Sequence, residues 1–134
     1  MALQENKLHI SLLLIRLTVF LVMLMWTLDK FINPEHAAKV YEKFYFIAGL
    51  GHLTMYVIGC AELVVLLLFV VGYMKKYSYG AVLFFHGVST FSSFKQYLHP
   101  FEGANLLFFA AWPMLAACLA LFILRDSDKK FTVN

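Results

Sequence analysis

The segment ISLLLIRLTVFLVMLMWTL, residues 10–28, decides the fold class of this chain. Arg16 is its one charged residue. Its length is close to the ~20 residues that an α-helix needs to cross ~30 Å of hydrocarbon. The segment is too long for the apolar part of a secretory signal peptide, and no small-residue cleavage site follows it. We therefore predict that residues 10–28 form a retained transmembrane helix.

Three further apolar runs follow, at residues 48–71, 79–94 and 104–124. Apolar residues make up 62% of the chain and charged residues 14%, whereas soluble domains are nearer half and a quarter. A soluble chain of 134 residues could not hide so much apolar surface, but a bilayer covers it. The sequence therefore predicts an all-α integral membrane protein, one domain built as a four-helix bundle. A net charge of +3 without a basic stripe argues against nucleic acid as a partner.

The connector between the first two runs contains a second structural signal. Asn33-Pro34 marks a turn, and Pro34 suits the first turn of a new helix. Residues 35–46 mix charged with aromatic side chains at spacings typical of a short amphipathic helix at the membrane interface. The alternative is an irregular polar loop.

The distribution of Lys and Arg predicts the orientation, because cytoplasmic segments are enriched in both. The side that holds both termini carries six of them: Lys7, Lys75, Lys76, Arg125, Lys129 and Lys130. The other side carries four: Lys30, Lys39, Lys43 and Lys95. We expect the N- and C-termini to be cytoplasmic.

Three ionisable residues, Arg16, Glu62 and His86, fall inside apolar runs. At ~1.5 Å of rise per residue they lie roughly 9, 14 and 11 Å from the cytoplasmic ends of their runs. Such residues usually face a bundle interior or a water-filled cavity. The similar depths predict one intramembrane polar cluster, including an Arg–Glu pair, that holds a ligand or relays protons. The alternatives are a purely structural lock between helices, and an Arg16 that reaches back to the cytoplasmic interface.

A second polar set is expected at the outer end of the bundle: Asp29, Lys30, His52, Lys95, His99 and Glu102. Asp29 and Lys30 are adjacent and need separate partners across the bundle. His52, His99 and Glu102 have side chains that could bind a metal, but their local spacing is not that of a strong metal motif. Solvated polar caps are the favoured interpretation. The sequence contains no phosphate-binding glycine loop, CxxC pair or nucleophile elbow.

Short motifs in order along the chain resemble the DoxX-like superfamily of small bacterial membrane proteins. They are Arg16-Leu17 in the first helix, Asp29-Lys30-Phe31 at its end, the Gly59-x-x-Glu62-Leu63 pattern, Gly72 before a basic turn, and His86 in the third helix. The resemblance implies four helices in the bacterial inner membrane with cytoplasmic termini. It draws attention to Arg16, Lys30 and Glu62.

Members of that superfamily differ in function, which leaves three hypotheses. The first is a redox-associated subunit of a membrane oxidoreductase complex that binds a quinone or a similar lipid-like molecule at the polar cluster, because a quinone needs apolar walls and a few donors. The second is a non-catalytic assembly or accessory factor with a membrane protein partner. The third is a small transporter, which with four helices requires a homo-oligomer.

Overall fold

The computed structural model describes residues 2–133, and this part of the chain is all-α, without a β-strand. The helices are α1 (Ala2–Ile32), α2 (Pro34–Tyr45), α3 (His52–Val70), α4 (Lys75–Ser92), the short α5 (Phe94–Leu98) and α6 (Ala111–Ile123). Two 3-10 segments flank α6, at Asn105–Ala110 and Arg125–Ser127. The predicted all-α class is confirmed.

Three stretches between residues 2 and 133 are long and apolar enough to cross a membrane: α1, α3, and the 3-10 segment continued by α6. Together they suggest an integral membrane protein. α4 has 18 residues but is more polar, as the sequence predicted for the third run. Its serines, its histidine and its two lysines account for the difference.

Helix boundaries differ from the edges of the apolar runs. α1 begins at Ala2 rather than near residue 10, because the polar residues before the run lack glycine or proline and continue the helix. α3 begins at His52 rather than near residue 48, since Gly49 has a φ of 77°, outside the helical region. α4 begins at Lys75 rather than near residue 79. Apolar runs therefore located the helices but not their ends.

The amphipathic segment is helical, as predicted, and the irregular-loop alternative is wrong. Pro34 lies in the first turn of α2. The helix ends where Phe46 adopts a left-handed conformation, with φ of 59°, and its N–H donates to the carbonyl of Tyr41. Ala37 is the buried residue of the helix, and the aromatic residues near its end are half-buried against the bundle.

One stripe of α1 faces the core. Its residues recur every three or four positions, which is the spacing of a single helix face: Leu12, Arg16, Val19, Met23, Thr27 and Lys30. α1 packs against α3 and α6, while α4 packs against α3 and α6 from the other side. The stripe is apolar at Val19 and Met23, with Arg16 before them and Thr27 and Lys30 after them. A polar site therefore lies on each side of the apolar core.

The outward faces of the long helices are apolar. Side chains such as Leu14, Leu21, Leu53, Val64 and Ile123 are exposed. Exposing apolar surface to water costs about 25 cal/mol of free energy per Å². A lipid or protein environment around these faces removes that cost.

Candidate functional site

The carboxylate of Glu62, on α3, is surrounded by donors from two other helices. Lys30 Nζ, from α1, lies 3.1 Å from both carboxylate oxygens. Thr27, one turn earlier on α1, donates its hydroxyl to Oε2 at 3.0 Å. Tyr41, on α2, donates its hydroxyl to Oε1 at 3.4 Å, and its ring centroid lies 5.6 Å from Lys30 Nζ. We refer to these four residues as the Glu62 site.

The Glu62 site is largely withdrawn from solvent. The side chains of Lys30 and Glu62 are 9% and 18% exposed. A buried ion pair of this kind is stable only when further hydrogen bonds satisfy the charges, and here Thr27 and Tyr41 supply them. Burial, together with the Glu62 carboxylate, raises the pKa of Tyr41. Its hydroxyl therefore stays protonated and remains a donor at neutral pH.

Aromatic and hydroxyl groups extend the Glu62 site towards α4. The rings of Tyr41 and Tyr45 meet edge to face with centroids 4.9 Å apart. The hydroxyl of Tyr45 then hydrogen-bonds that of Ser89, with the oxygens 2.6 Å apart. Burial raises the pKa of Tyr45 too. Neutral hydroxyl groups thus link α2 to α4.

An aromatic groove opens beside this hydroxyl pair, between the end of α2 and the second half of α4. Its volume is about 430 Å³. Its lining is mostly aromatic: Phe44, Tyr45, Phe46, Val88, Phe91, Ser92 and Phe94. This groove was not predicted from the sequence, although the three successive aromatic residues 44–46 and the Phe residues at 91 and 94 were a visible signal.

His86 lies inside the bundle, away from Arg16. Its ring stacks on Trp26 with centroids 6.0 Å apart. Its Nε2 lies 3.0 Å from the carbonyl of Ala111, at the first residue of α6, so Nε2 carries a proton and donates it. Nδ1 is buried without a hydrogen-bond partner among the described residues. Trp26 directly precedes Thr27, which places His86 closer to the level of Glu62 than to that of Arg16.

Arg16 anchors the C-terminal tail, residues 128–133. Its Nη1 lies 2.6 Å from Oδ1 of Asp128, and Nη2 donates to the carbonyls of Lys130 at 2.6 Å and Phe131 at 3.3 Å. Tyr79, on α4, donates its hydroxyl to Oδ2 of Asp128 at 2.6 Å. Arg16 and Asp128 are fully buried. A buried ion pair therefore closes this end of the bundle.

The predicted pairing of Arg16 with Glu62 is wrong, and the three intramembrane residues do not meet. Glu62 is paired with Lys30, which lies 14 positions after Arg16 on α1, about 21 Å along the helix. The ends of the apolar runs do not lie at one level, because Arg16 lies at the level of the polar tail. No periodic signal in that tail marked Asp128 as a partner.

The six residues predicted at the outer end do not form one cluster: His99 pairs with Glu102, and the other four have different partners. Asp29 lies 2.6 Å from His36 Nδ1, and Lys30 is bound to Glu62. This confirms that the two neighbours need different partners. Lys95 Nζ lies 5.2 Å from the ring centroid of Phe46, at the rim of the aromatic groove.

The candidate metal ligands do not converge. His52 lies 3.8 Å from Glu35, and His99 lies 3.8 Å from Glu102, and these side chains are exposed. No group of three His, Cys, Asp or Glu residues suited to a metal ion occurs within residues 2–133. The two pairs resemble surface contacts, which contribute little to stability.

Comparison with known proteins adds no relative. No family model matches the chain, and neither the curated proteins nor the solved structures contain a match.

Proposed function

We propose that this chain is a four-helix protein of the bacterial inner membrane that binds a quinone or a similar lipid-like molecule in the aromatic groove. It would act as a redox-associated subunit of a membrane oxidoreductase complex, in keeping with the resemblance to the DoxX-like superfamily. The observation that carries the proposal is the groove of about 430 Å³ with the Tyr45–Ser89 hydroxyl pair beside it.

The groove has the chemistry that a quinone requires. Ligand sites usually span about 300–1,000 Å³ and combine apolar walls with a few placed polar groups. Phe44 and Phe91 supply aromatic walls that suit a planar ring. The Tyr45 and Ser89 hydroxyls share one hydrogen bond, so one hydroxyl proton of the pair is left to donate to a quinone carbonyl.

Access from the bilayer follows from the position of the groove. Phe46, Val88 and Phe91 line it and are exposed on the outer surface. A molecule dissolved in lipid could therefore enter sideways between α2 and α4. The exposed lining is mainly aromatic, which favours an apolar molecule over a polar one.

The amphipathic character of α4 supports its inclusion as the fourth membrane span. Its polar residues His86 and Thr90 are fully buried, whereas Phe84, Val88 and Phe91 are exposed. Polar groups in spanning helices are normally shielded in this way, since lipid cannot satisfy them. A water-exposed α4 would show the opposite arrangement.

The test uses Trp112, whose ring centroid lies 5.5 Å from that of Phe91. In a Trp26→Phe background it is the sole tryptophan, since the chain has two. We expect decylubiquinone or menadione to quench its fluorescence saturably in nanodiscs. Tyr45→Phe should weaken binding about threefold to tenfold, the value of one hydrogen bond. Tyr73→Phe, an exposed tyrosine in the turn between α3 and α4, is the matched control. Unsaturable quenching by both quinones would overturn the proposal.

A second candidate, the accessory factor, is favoured by one observation. Large apolar side chains are exposed at the end of α5 and in the segment between α5 and α6: Leu98 at 72%, Phe101 at 87% and Leu107 at 77%. Such a patch suits a membrane protein partner. A partner that copurifies in mild detergent at fixed stoichiometry, and is lost in Phe101→Ser/Leu107→Ser but not in Leu3→Ser, would support this function. Retention of the partner by the double variant would count against it.

A further inference from the structure

A basic cleft lies at the end of the molecule closed by Arg16 and Asp128. It is formed between the first turn of α4 and the chain that follows α6, and its volume is about 730 Å³. Four of its lining residues are cationic and one is acidic: Lys75, Lys76, Arg125, Lys129 and Asp126, with Thr132 completing the wall. The cleft therefore carries a formal charge of +4 − 1 = +3.

The cations of this cleft stand on a fixed scaffold. Arg125 Nη1 donates to the carbonyl of Phe122 at 2.8 Å, and its guanidinium lies 4.4 Å from the Phe122 ring centroid. The C-terminal tail is fixed at Asp128, and Val133 N–H donates to the carbonyl of Val71 at 2.9 Å. The fold thus fixes the Arg125 side chain and the backbone that carries Lys129.

The nearest buried acid does not neutralise the cleft. Asp128 is fully buried, and both of its carboxylate oxygens are occupied, one by Arg16 and the other by Tyr79. Lys75 donates to the backbone carbonyl of Asp128 rather than to its carboxylate. Lys76, Arg125 and Lys129 add three further cations to the lining, which favours binding of an external anion.

Apolar surface continues directly from the cleft. Ile123 and Leu124 precede Arg125 and are exposed, and Tyr77 follows Lys76 and is 67% exposed. A free inorganic anion would use only the charges. A phospholipid would use both features, with its phosphate among the cations and its acyl chains along the exposed helix surface.

We propose that this cleft binds the phosphate headgroup of an anionic phospholipid. The ends of α4 and α6 place the cleft where headgroups lie when these helices span a bilayer. The inference rests on membrane insertion, which is part of the proposed function, but it does not depend on quinone binding.

The test compares two double variants that each remove two exposed lysines. Lys76→Gln/Lys129→Gln changes the cleft, and Lys39→Gln/Lys43→Gln makes the same charge change on α2. Native mass spectrometry of the full chain in mild detergent, titrated with phosphatidylglycerol or phosphatidylcholine, measures binding. We expect preference for phosphatidylglycerol, and roughly 25-fold weaker binding in the cleft variant, at about fivefold per lysine. The α2 variant should bind as the unaltered chain does.

Two further measurements distinguish the possible outcomes of this experiment. Restoring charge with Lys76→Arg/Lys129→Arg should restore binding, while circular dichroism checks that each variant is folded. Equal binding of the two phospholipids, or equal loss in both double variants, would overturn the proposal. Displacement of phosphatidylglycerol by millimolar inorganic phosphate would also overturn it, in favour of a soluble anion. Loss of quinone binding with retained lipid preference would contradict only the quinone site.

Discussion

The Glu62 carboxylate accepts hydrogen bonds from α1 and α2 while belonging to α3. One residue therefore fixes the relative positions of three helices. Lys30 neutralises its charge, and Thr27 and Tyr41 satisfy the oxygens that Lys30 alone would leave partly unpaired. The energy of such a site depends on all its members, because removing one leaves the others buried without a partner.

We expect loss of either charge in the Glu62 site to be costly. Lys30→Met leaves the partly buried Glu62 carboxylate without a counter-ion. Glu62→Gln likewise leaves the Lys30 ammonium without a counter-ion. Each should lower the free energy of unfolding by about 2–4 kcal/mol, below the full value for a completely buried pair because Glu62 is 18% exposed. Unfolding in mixed SDS micelles, followed by circular dichroism, measures the change.

The double variant Lys30→Met/Glu62→Gln provides the decisive comparison. It removes both charges, so the decrease in its free energy of unfolding should be clearly smaller than the sum of the decreases in the two single variants. Lys39→Met, at an exposed lysine of α2, is the control and should leave stability unchanged. Additive losses would show that the two residues do not interact energetically.

α1 and α3 pack closely because Gly59 of α3 has no side chain. A Cβ built there would lie 2.8 Å from the Phe31 ring, which is closer than carbon atoms pack. Phe31 in turn stacks on Tyr56 with centroids 6.1 Å apart, so a shift of its ring would also disturb that contact. The glycine thus lets α1 approach α3 next to Lys30, where the Glu62 site is formed.

Gly59→Ala should therefore destabilise the protein by about 1–3 kcal/mol, the usual cost of overpacking. Gly87→Ala on α4 is the matched control, because its Cβ would meet Leu115 at 3.8 Å, an ordinary contact. There the better helix propensity of alanine should raise stability by up to about 1 kcal/mol. The same unfolding assay compares the two variants. A stabilised Gly59→Ala would mean that Phe31 moves freely.

The C-terminal tail is a separate element, and the buried Asp128 carboxylate binds it to Arg16 and Tyr79. Asp128→Ala leaves Arg16 only the carbonyls of Lys130 and Phe131, so we expect the tail to loosen. The amide of Val133, now bonded to Val71, should then exchange its hydrogen much faster. Hydrogen exchange with mass spectrometry measures this. Asp126→Ala, two residues earlier and exposed, should leave exchange unchanged. Equal exchange in both variants would contradict the role given to Asp128.

Local signals predicted the elements, and long-range pairing escaped prediction. Apolar length located the long helices, and Pro34 with its following aromatic residues located α2, because these properties act within a few residues. The partner of Arg16 lies 112 positions away in a tail without periodicity, so nothing local could identify it. Lys30 and Glu62 were each singled out, yet their pairing required the packing of α1 on α3.

At the scale of the whole molecule, opposite ends differ in charge. The basic cleft lies beside the turn between α3 and α4. Glu35 in α2, His52 at the start of α3 and Glu102 between α5 and α6 are remote from it in sequence. Because cytoplasmic ends of membrane proteins are enriched in Lys and Arg, the cleft end is the expected cytoplasmic end. This agrees with the proposed lipid headgroup site.

The number of spans determines where the termini lie. Three spans would put the N- and C-termini on opposite sides of the membrane, whereas four put them on the same side. Arg16 of α1 binds Asp128 of the tail, and Val133 binds Val71 beside the α3–α4 turn, so these segments share one end of the bundle. Those contacts support the proposed arrangement of four spans with α4 included.

Cysteine labelling in intact cells tests this count. In a Cys60→Ala/Cys118→Ala background, which removes both native cysteines, single substitutions at exposed sites are Asn6→Cys, Glu35→Cys and Lys129→Cys. We expect a membrane-impermeant maleimide to label only Glu35→Cys, and all three after lysis. Labelling of either Asn6→Cys or Lys129→Cys alone in intact cells would indicate an odd number of spans. That result would place α4 outside the membrane and would require the buried Arg16–Asp128 pair to open on insertion.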